Sequence, residues 1–225
     1  MAPKRWELVY SDVRDRILCL DLEPGAKVSE VGLAEKYGVS PTPVRDALGR
    51  LVQDGMLVTG GTRGYWVAPL SVRELQQLSD FRFVLERHVG ESLLGNEQVD
   101  WERLEEASRS TPSTEKKAYI RANIEFHLLL AESAGNPFLT TSLRQVLERS
   151  SRYFWLGLPN APEQPFADDH RALVEAMRQG EHERMERIYR SEVYGTRDRV
   201  RALLTQMISD PGSVEAGGQI PISLS

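Results

Sequence analysis

The order of patterns in the first 70 residues constrains the fold more than any other feature of this chain. Apolar residues recur at helical spacing in residues 6–20, and again in Glu30–Tyr37 and Thr42–Asp54. Two short strands, Met56–Thr59 and Tyr65–Ala68, then flank a glycine-rich turn. Three helices and a hairpin within so short a stretch are the outline of a winged helix-turn-helix. We therefore predict such a domain at the N-terminus.

The stretch GVSPTPVRDAL, which opens the third helix, is suited to contact with DNA. In a helix-turn-helix the second helix of the motif enters the major groove and places its N-terminal residues at the base edges. Ser40 is a candidate N-cap, and Pro41 suits the first turn because it has no N–H group to leave unsatisfied. Ser40 and Thr42 offer hydroxyls, and Arg45 can reach a guanine edge or a phosphate. Arg63, at the tip of the wing, can enter the minor groove or contact phosphate. An ordinary interaction domain with a solvated arginine is the alternative.

Composition limits the compartment and the kind of DNA contact. The chain carries a net charge of −5, but residues 1–70 hold nine Lys/Arg and nine Asp/Glu, so DNA binding would depend on locally placed cations. The single cysteine, Cys19, cannot form an internal disulfide. The N-terminal MAPKRWELVY lacks the apolar core of a signal peptide, and no apolar run approaches the ~20 residues of a membrane span. We expect a cytoplasmic protein with no membrane partner.

From Ser71 onward the chain has the periodicity of an all-helical domain, which we predict over residues 71–208. The predicted fold class is thus mainly α, with a winged helix-turn-helix over residues 1–70 followed by an all-helical bundle. Residues 209–225, SDPGSVEAGGQIPISLS, have the composition of a disordered tail. The predicted helices of the second domain are Val72–Leu94, Asp100–Ser110, Thr114–Ala134, Pro137–Leu156, Phe166–Gln179 and Glu181–Met207.

Polar residues interrupt the apolar stripes of four of these helices. The interrupting residues are Arg82, Asn123, His127, His170 and Glu192. Two histidines and a carboxylate are a credible set of ligands for a divalent metal, and an Asn oxygen is a candidate fourth ligand. A nearby arginine suits a carboxylate, which it can hold with two hydrogen bonds. Any one of these residues, taken alone, is more often a core residue whose polar group is hydrogen-bonded within the protein. A structural core without metal or ligand is therefore the alternative interpretation.

The N-terminal part resembles a known family. LAEKYGVSPTPVRDALGRLVQDGMLVTGGTRGYWVAPLS is similar to the GntR family of bacterial transcription regulators. The resemblance implies DNA contact by the matching residues, which are Ser40, Thr42, Arg45, Arg63 and Gly64. Many members carry arginine where this chain has Pro41, and some carry a basic residue where it has Val31. Fewer cations should therefore face the DNA, which implies a shallower salt dependence or a different operator.

The helical part resembles the FCD effector domain of the FadR-type subfamily, in the segments FRFVLERHVGESL, NIEFHLLLAESAGNPFL and DDHRALVEAMRQGE. Six predicted helices are similar to its VanR-type branch. The resemblance implies a divalent metal, zinc with nickel or manganese as alternatives, and a small organic acid held by the metal and Arg82. The family's metal positions fall on Asn123, His127, His170 and Glu192, with Glu192 where the family has a third histidine.

The favoured function is a homodimeric regulator that binds double-stranded operator DNA and responds to a small carboxylate. Relief of repression by the ligand is the commoner behaviour in the family that this chain resembles. The first alternative is a metal-dependent hydrolase or lyase using His127, His170 and Glu192, although such a site needs an open coordination position and a positioned base. The second is an adaptor whose polar stripe residues form a dry core.

Overall fold

The structure is a computed structural model that describes residues 4–60, 64–109, 116–156, 166–209 and 222–223. It confirms a mainly α fold with a small N-terminal sheet. The helices are α1 Arg5–Leu18, α2 Glu30–Tyr37, α3 Pro41–Gln53, α4 Val72–Leu93, α5 Trp101–Ser108, α6 Lys116–Ser133, α7 Pro137–Leu156, α8 Phe166–Arg178 and α9 His182–Ser209. The strands are β1 Lys27–Val28, β2 Leu57–Gly60, β3 Gly64–Val67, β4 Leu70–Ser71 and β5 Ile222–Ser223.

The N-terminal elements form a winged helix-turn-helix. Helix α2 ends at Gly38, whose φ of 60° suits glycine because a side chain is strained there. Helix α3 begins at Pro41, one residue earlier than the sequence predicts, and Ser40 is its N-cap. This confirms the predicted N-cap position, although the Ser40 side chain makes no capping hydrogen bond.

The wing is an antiparallel sheet in the order β1-β3-β2, with Leu57 opposite Val67 and Gly60 opposite Gly64. Sequence periodicity did not predict β1, because a strand of two residues is too short to show an alternating pattern. Its pairing of Lys27 with Trp66 ties the loop before α2 to the wing.

The C-terminal part is a helical bundle in which α4 packs against α7 and α9, α6 against α7, and α8 against α9. The buried apolar residues fall into two clusters. One lies among α1, α2, α3 and the wing, and the other fills the bundle. The side chains facing the second cluster include the predicted polar residues Arg82, His127, His170 and Glu192, all of which are buried.

Ion pairs join the first helix to the bundle. Asp15 of α1 lies 3.0 Å from both Lys117 Nζ and Arg121 Nη2 of α6. Arg14 lies 3.4 Å from Glu148 of α7. The N-terminal domain therefore rests on α6, the helix that also carries His127.

Part of the predicted tail is ordered against the junction of the two domains. Ile222 and Ser223 form β5, which pairs in parallel with Leu70 and Ser71 of β4. The rest of the predicted tail, residues 210–221 and 224–225, lies outside the described residues.

Candidate functional site

The N-terminal turn of α3 presents the predicted DNA-contacting residues to solvent. Ser40, Thr42 and Arg45 are exposed, while Val44 beside them is fully buried and anchors the helix. The Nε of Arg45 lies 2.7 Å from Glu30 Oε2, so the arginine has a partner that DNA would have to replace.

Arg50, near the end of the same helix, lies 4.0 Å from the centroid of the Trp6 ring of α1. This cation–π contact joins α3 to α1 within the N-terminal domain.

Glycine at position 64 is required by the packing of the wing. A Cβ added at Gly64 would lie 2.6 Å from the Trp66 ring, which also covers Gly60. Gly64 thus lets the two strands of the wing close beneath the indole. Arg63, the predicted wing-tip cation, lies outside the described residues.

Four buried charged residues form a cluster in the bundle, which we call the ion cluster: Arg82 and Glu86 of α4, His127 of α6 and Glu192 of α9. Arg82 donates from Nε to Glu86 Oε1 at 2.9 Å and from Nη2 to Glu192 Oε1 at 2.6 Å. His127 Nε2 lies 3.0 Å from Glu192 Oε1. Each of these side chains is at most 10% exposed, so their charges compensate one another out of contact with water.

Glu86 is the member that the sequence did not predict. It is 1% exposed, and its Oε1 lies 3.0 Å from His127 Nδ1 without the alignment of a hydrogen bond. Its spacing of four residues from Arg82 was the available signal, because residues i and i+4 of a helix face each other.

The charges of the ion cluster shift the pKa values of His127 and Glu192. Burial opposes the charge of His127, but the carboxylates of Glu192 and Glu86 outweigh it and raise the pKa of the ring to about 9. Burial likewise opposes the charge of Glu192, but His127 and Arg82 hold the pKa of the carboxyl well below its ordinary value. At neutral pH His127 is therefore protonated and Glu192 is ionised.

His170 of α8 adjoins the ion cluster in its neutral form. Burial, assisted by the nearby His127, lowers the pKa of His170 to about 3. Its ring stacks on Phe126, with the centroids 3.9 Å apart, and lies edge-on to His127 at 5.1 Å. A neutral, immobilised imidazole is suited to ligating a metal.

The donor atoms of His127, His170 and Glu192 all lie within 4.8 Å of one another. Donors in a tetrahedral zinc site are about 3.4 Å apart, so small side-chain movements would bring these three to bonding distance. Glu192 Oε2 and Asn123 Oδ1 are buried acceptors with no hydrogen-bond partner among the described residues, which favours a cation there. The three donors therefore fit a divalent metal, and Asn123, one turn before His127, is the candidate fourth ligand.

A cavity of about 40 Å³ lies next to Arg82, which contacts Glu192 and His127; none of the three donors His127, His170 and Glu192 is itself in the cavity wall. Arg82 and Asn123 lie in its wall, together with hydroxyl groups from α4, α7 and α9. Because one water needs about 10–15 Å³ of such space, the cavity holds about three waters, or a carboxylate of similar size. Arg82 thus borders both the metal donors and the cavity, as the effector-binding prediction requires.

A winged helix-turn-helix joined to a helical bundle with a buried polar site is the architecture of a DNA-binding regulator with a sensory domain. Residues 77–193 match the FCD domain, and residues 6–67 match the bacterial regulatory proteins of the gntR family. The chain belongs to the GntR family and carries an FCD domain. Its family and its relatives are DNA-binding transcription regulators rather than enzymes.

The relatives and solved structures agree with this assignment. The chain is 28% identical over 145 residues to the HTH-type transcriptional regulator YdhC of Bacillus subtilis, covering 61% of this chain and 64% of that protein. It is 27% identical over 146 residues to McbR of Escherichia coli, covering 63% and 66%. In both cases the match spans slightly less than two thirds of the relative's length.

Two solved structures share the fold. The structure of Escherichia coli McbR/YncC matches with a TM-score of 0.71 at 21% identity, covering 91% of this chain and 99% of that chain. A putative GntR transcriptional regulator from Rhodococcus sp. RHA1 matches with a TM-score of 0.74 at 20% identity, covering 88% and 98%. Within the described residues, no helix is both long and apolar enough to cross a membrane.

Proposed function

We propose that this regulator senses a small carboxylate at a metal held by His127, His170 and Glu192, and that the ligand changes its affinity for operator DNA. The observation that carries the proposal is the convergence of three metal-ligating atoms beside Arg82, a residue that also lines a polar cavity. Asn123 would supply a further oxygen ligand. The metal is zinc, with nickel and manganese as alternatives that share this donor set.

The charge of the ion cluster favours an anionic ligand. With His127 protonated, Arg82 and His127 balance Glu86 and Glu192, and the net charge is zero. A divalent metal that displaces the proton of His127 adds two charges and removes one, so the buried site becomes +1. A monovalent carboxylate restores neutrality, which makes metal binding and carboxylate binding mutually supportive.

The bound metal would supply an electrophilic point of attachment for one carboxylate oxygen. The cavity wall supplies the rest of the recognition. Arg82 can donate to the carboxylate, and Ser79, Ser150 and Thr196 offer hydroxyl groups nearby. The small volume favours a short acid, or a longer one that displaces side chains of the wall.

We infer that the functional unit is a cytoplasmic homodimer that represses until the ligand binds. Phe81 and Val84, three residues apart on α4, are 49% and 59% exposed, which supports burial of this face by a second copy. Two copies would place their α3 helices on two operator half-sites through Ser40, Thr42, Arg45, Arg63 and Gly64. Repression without ligand is supported by the ion pairs of Asp15, which fix the N-terminal domain on the bundle.

Thermal unfolding tests the ligand site. Chelator-treated protein is titrated with zinc, nickel and manganese, and then with a panel of small carboxylates. We expect stabilisation by one metal and further stabilisation by an acid that depends on this metal. His170→Ala should abolish both effects, whereas His182→Ala, at an exposed histidine, should leave them intact. No response of the wild type to any of the three metals would reject the sensor.

A gel-shift assay with the DNA flanking the gene tests the output. We expect a sequence-specific complex that the metal and the active acid weaken together. A complex strengthened by the ligand would reverse the proposed sign of regulation.

A further inference from the structure

We propose that Tyr153 of α7 is the positioning residue that links the effector cavity to the segment joining the two domains. The inference rests on the proposed function, because it assigns a regulatory consequence to occupation of that cavity. The joining segment, residues 68–74, leads from the last strand of the wing to the first turn of α4.

The ring and the hydroxyl of Tyr153 contact two different parts of the structure. Its ring lies in the wall of the cavity that Arg82 and Asn123 also line. Its hydroxyl accepts a hydrogen bond from the backbone N–H of Ser71 at 3.1 Å and donates one to the carboxylate of Glu74. The residue is 1% exposed, so the ring cannot move without affecting one of these contacts.

Ser71 and Glu74 are the residues that begin α4. Ser71 is the N-cap of the helix, and its Oγ accepts from Glu74 N–H at 3.1 Å. The Tyr153 hydroxyl therefore bonds to both members of the cap. A shift of the ring would loosen the cap and the segment that precedes it.

Neighbouring residues of α7 bind the same segment and the N-terminal domain. Arg152, fully buried, donates to the carbonyl of Ala68 at 2.9 Å. Ala68 in turn donates to the carbonyl of Met56, at the start of the wing. Arg149 pairs with Glu74 and packs against Gly55, which follows the DNA-reading helix α3. A displacement of α7 at Tyr153 would therefore reach the DNA-binding domain through short, buried contacts.

The size of the cavity makes such a displacement an expected result of binding. At about 40 Å³, it accepts about three waters before side chains of the wall must move. Tyr153 is the largest lining side chain whose polar atom bonds to residues 68–74. A ligand that displaces the ring would weaken the hydrogen bonds of the Tyr153 hydroxyl to Ser71 and Glu74. The N-terminal domain would then be held less firmly in one orientation.

Hydrogen–deuterium exchange of the peptide spanning residues 68–75 tests the first part of the proposal. Tyr153→Phe keeps the ring and removes the hydroxyl. We expect exchange of the Ser71 amide to accelerate about tenfold, the effect of one lost hydrogen bond. Tyr119→Phe removes a hydroxyl from the α6 wall of the same cavity and should leave this peptide as in the wild type. Equal exchange in wild type and Tyr153→Phe would overturn the proposal.

A cavity-filling substitution tests the coupling without any ligand. Thr196→Leu places a larger side chain in the wall on α9. It should accelerate exchange of residues 68–75 in the chain that has Tyr153 and have no further effect in the Tyr153→Phe chain. A merely structural role of Tyr153 would make the effects of the two substitutions on exchange additive. Additive effects, or unchanged exchange of residues 68–75 in Thr196→Leu, would contradict the proposal.

Calorimetric titration with zinc chloride and sodium acetate separates this inference from the proposed function. Binding of both to Tyr153→Phe with wild-type affinity, but without a change in residues 68–75, supports the coupling through the hydroxyl. If neither binds to the wild type while the Thr196→Leu effect depends on Tyr153, the coupling stands and the proposed ligand is wrong.

Discussion

Replacing Arg82 by methionine should destabilise the metal-free protein and, at the same time, tighten its affinity for zinc. Arg82 is the cation that Glu86 and Glu192 share, at 2.9 and 2.6 Å. Its Nη2 also lies 3.3 Å from His127 Nε2, so it contacts two of the atoms that a metal would need. Methionine has a similar length and no charge.

The expected loss of stability follows from burial. Glu86 and Glu192 are 1% and 6% exposed, and without Arg82 one imidazolium must compensate two buried carboxylates. Removing one partner of a buried ion pair costs about 3–5 kcal/mol. For a domain of this size, the melting temperature should fall on the order of 10–15 °C. Arg87→Met is the matched control, because the Arg87–Glu91 pair lies on the same helix at the same spacing but is exposed, and its loss should cost at most about 1 kcal/mol.

The expected gain in zinc affinity follows from the removal of a like charge beside the donors. Zinc then has no competing cation at Glu192 and His127, and its dissociation constant should fall at least about tenfold. Differential scanning calorimetry in chelator and in excess zinc gives both quantities. In chelator the variant should have a lower melting temperature than the wild type. Excess zinc should raise the melting temperature of the variant by more than that of the wild type. Weaker zinc binding by Arg82→Met, in a folded protein, would show that Arg82 supports the metal site instead of competing with it.

Three further results are expected. Arg45→Ala should weaken operator binding by about 1–3 kcal/mol, measured by gel shift, and an unchanged affinity would mean that α3 is not the reading helix. Zinc affinity should rise about tenfold per pH unit up to pH 9, since His127, with its pKa raised to about 9, must lose a proton to ligate; titrations between pH 6.5 and 8 that show no such slope would contradict this. Gly64→Ala should lower the melting temperature because its Cβ would lie 2.6 Å from the Trp66 ring, whereas Gly49→Ala, on α3 with no atom within 4 Å of the new Cβ, should raise it. Equal melting temperatures of the two variants would refute that packing argument.

Local patterns were sufficient for most of the fold. Within the described residues, helical periodicity predicted α7 with its observed bounds and the other helices of the bundle to within two residues, because each buries a mainly apolar face. The predicted helical residues 110 and 114–115 lie outside the described residues. The wing was predicted from its glycine-rich turn. Strand β1 was missed because two residues contain no period, and its pairing with β3 depends on contacts distant in sequence.

The candidate site was predicted only in part. Polar residues on apolar stripes identified Arg82, His127, His170 and Glu192 as inward-facing, since a buried charge is costly without a partner. The sequence gives no indication of which buried charge pairs with which. Glu86 was overlooked because, within α4, it resembles the many exposed glutamates of this chain.

The sequence by itself determined which faces are buried, where helices begin and end, and which residue types a DNA-reading helix presents. These properties depend on neighbours three or four positions away along one chain segment. The tertiary structure decided the identity of the partners: Arg82 between Glu86 and Glu192, His127 beside His170, and the Tyr153 hydroxyl on Ser71. The reason is that such contacts join helices separated by tens of residues. Their distances, and hence the pKa of His127 and the fit to a metal, follow from how the helices pack rather than from any local pattern.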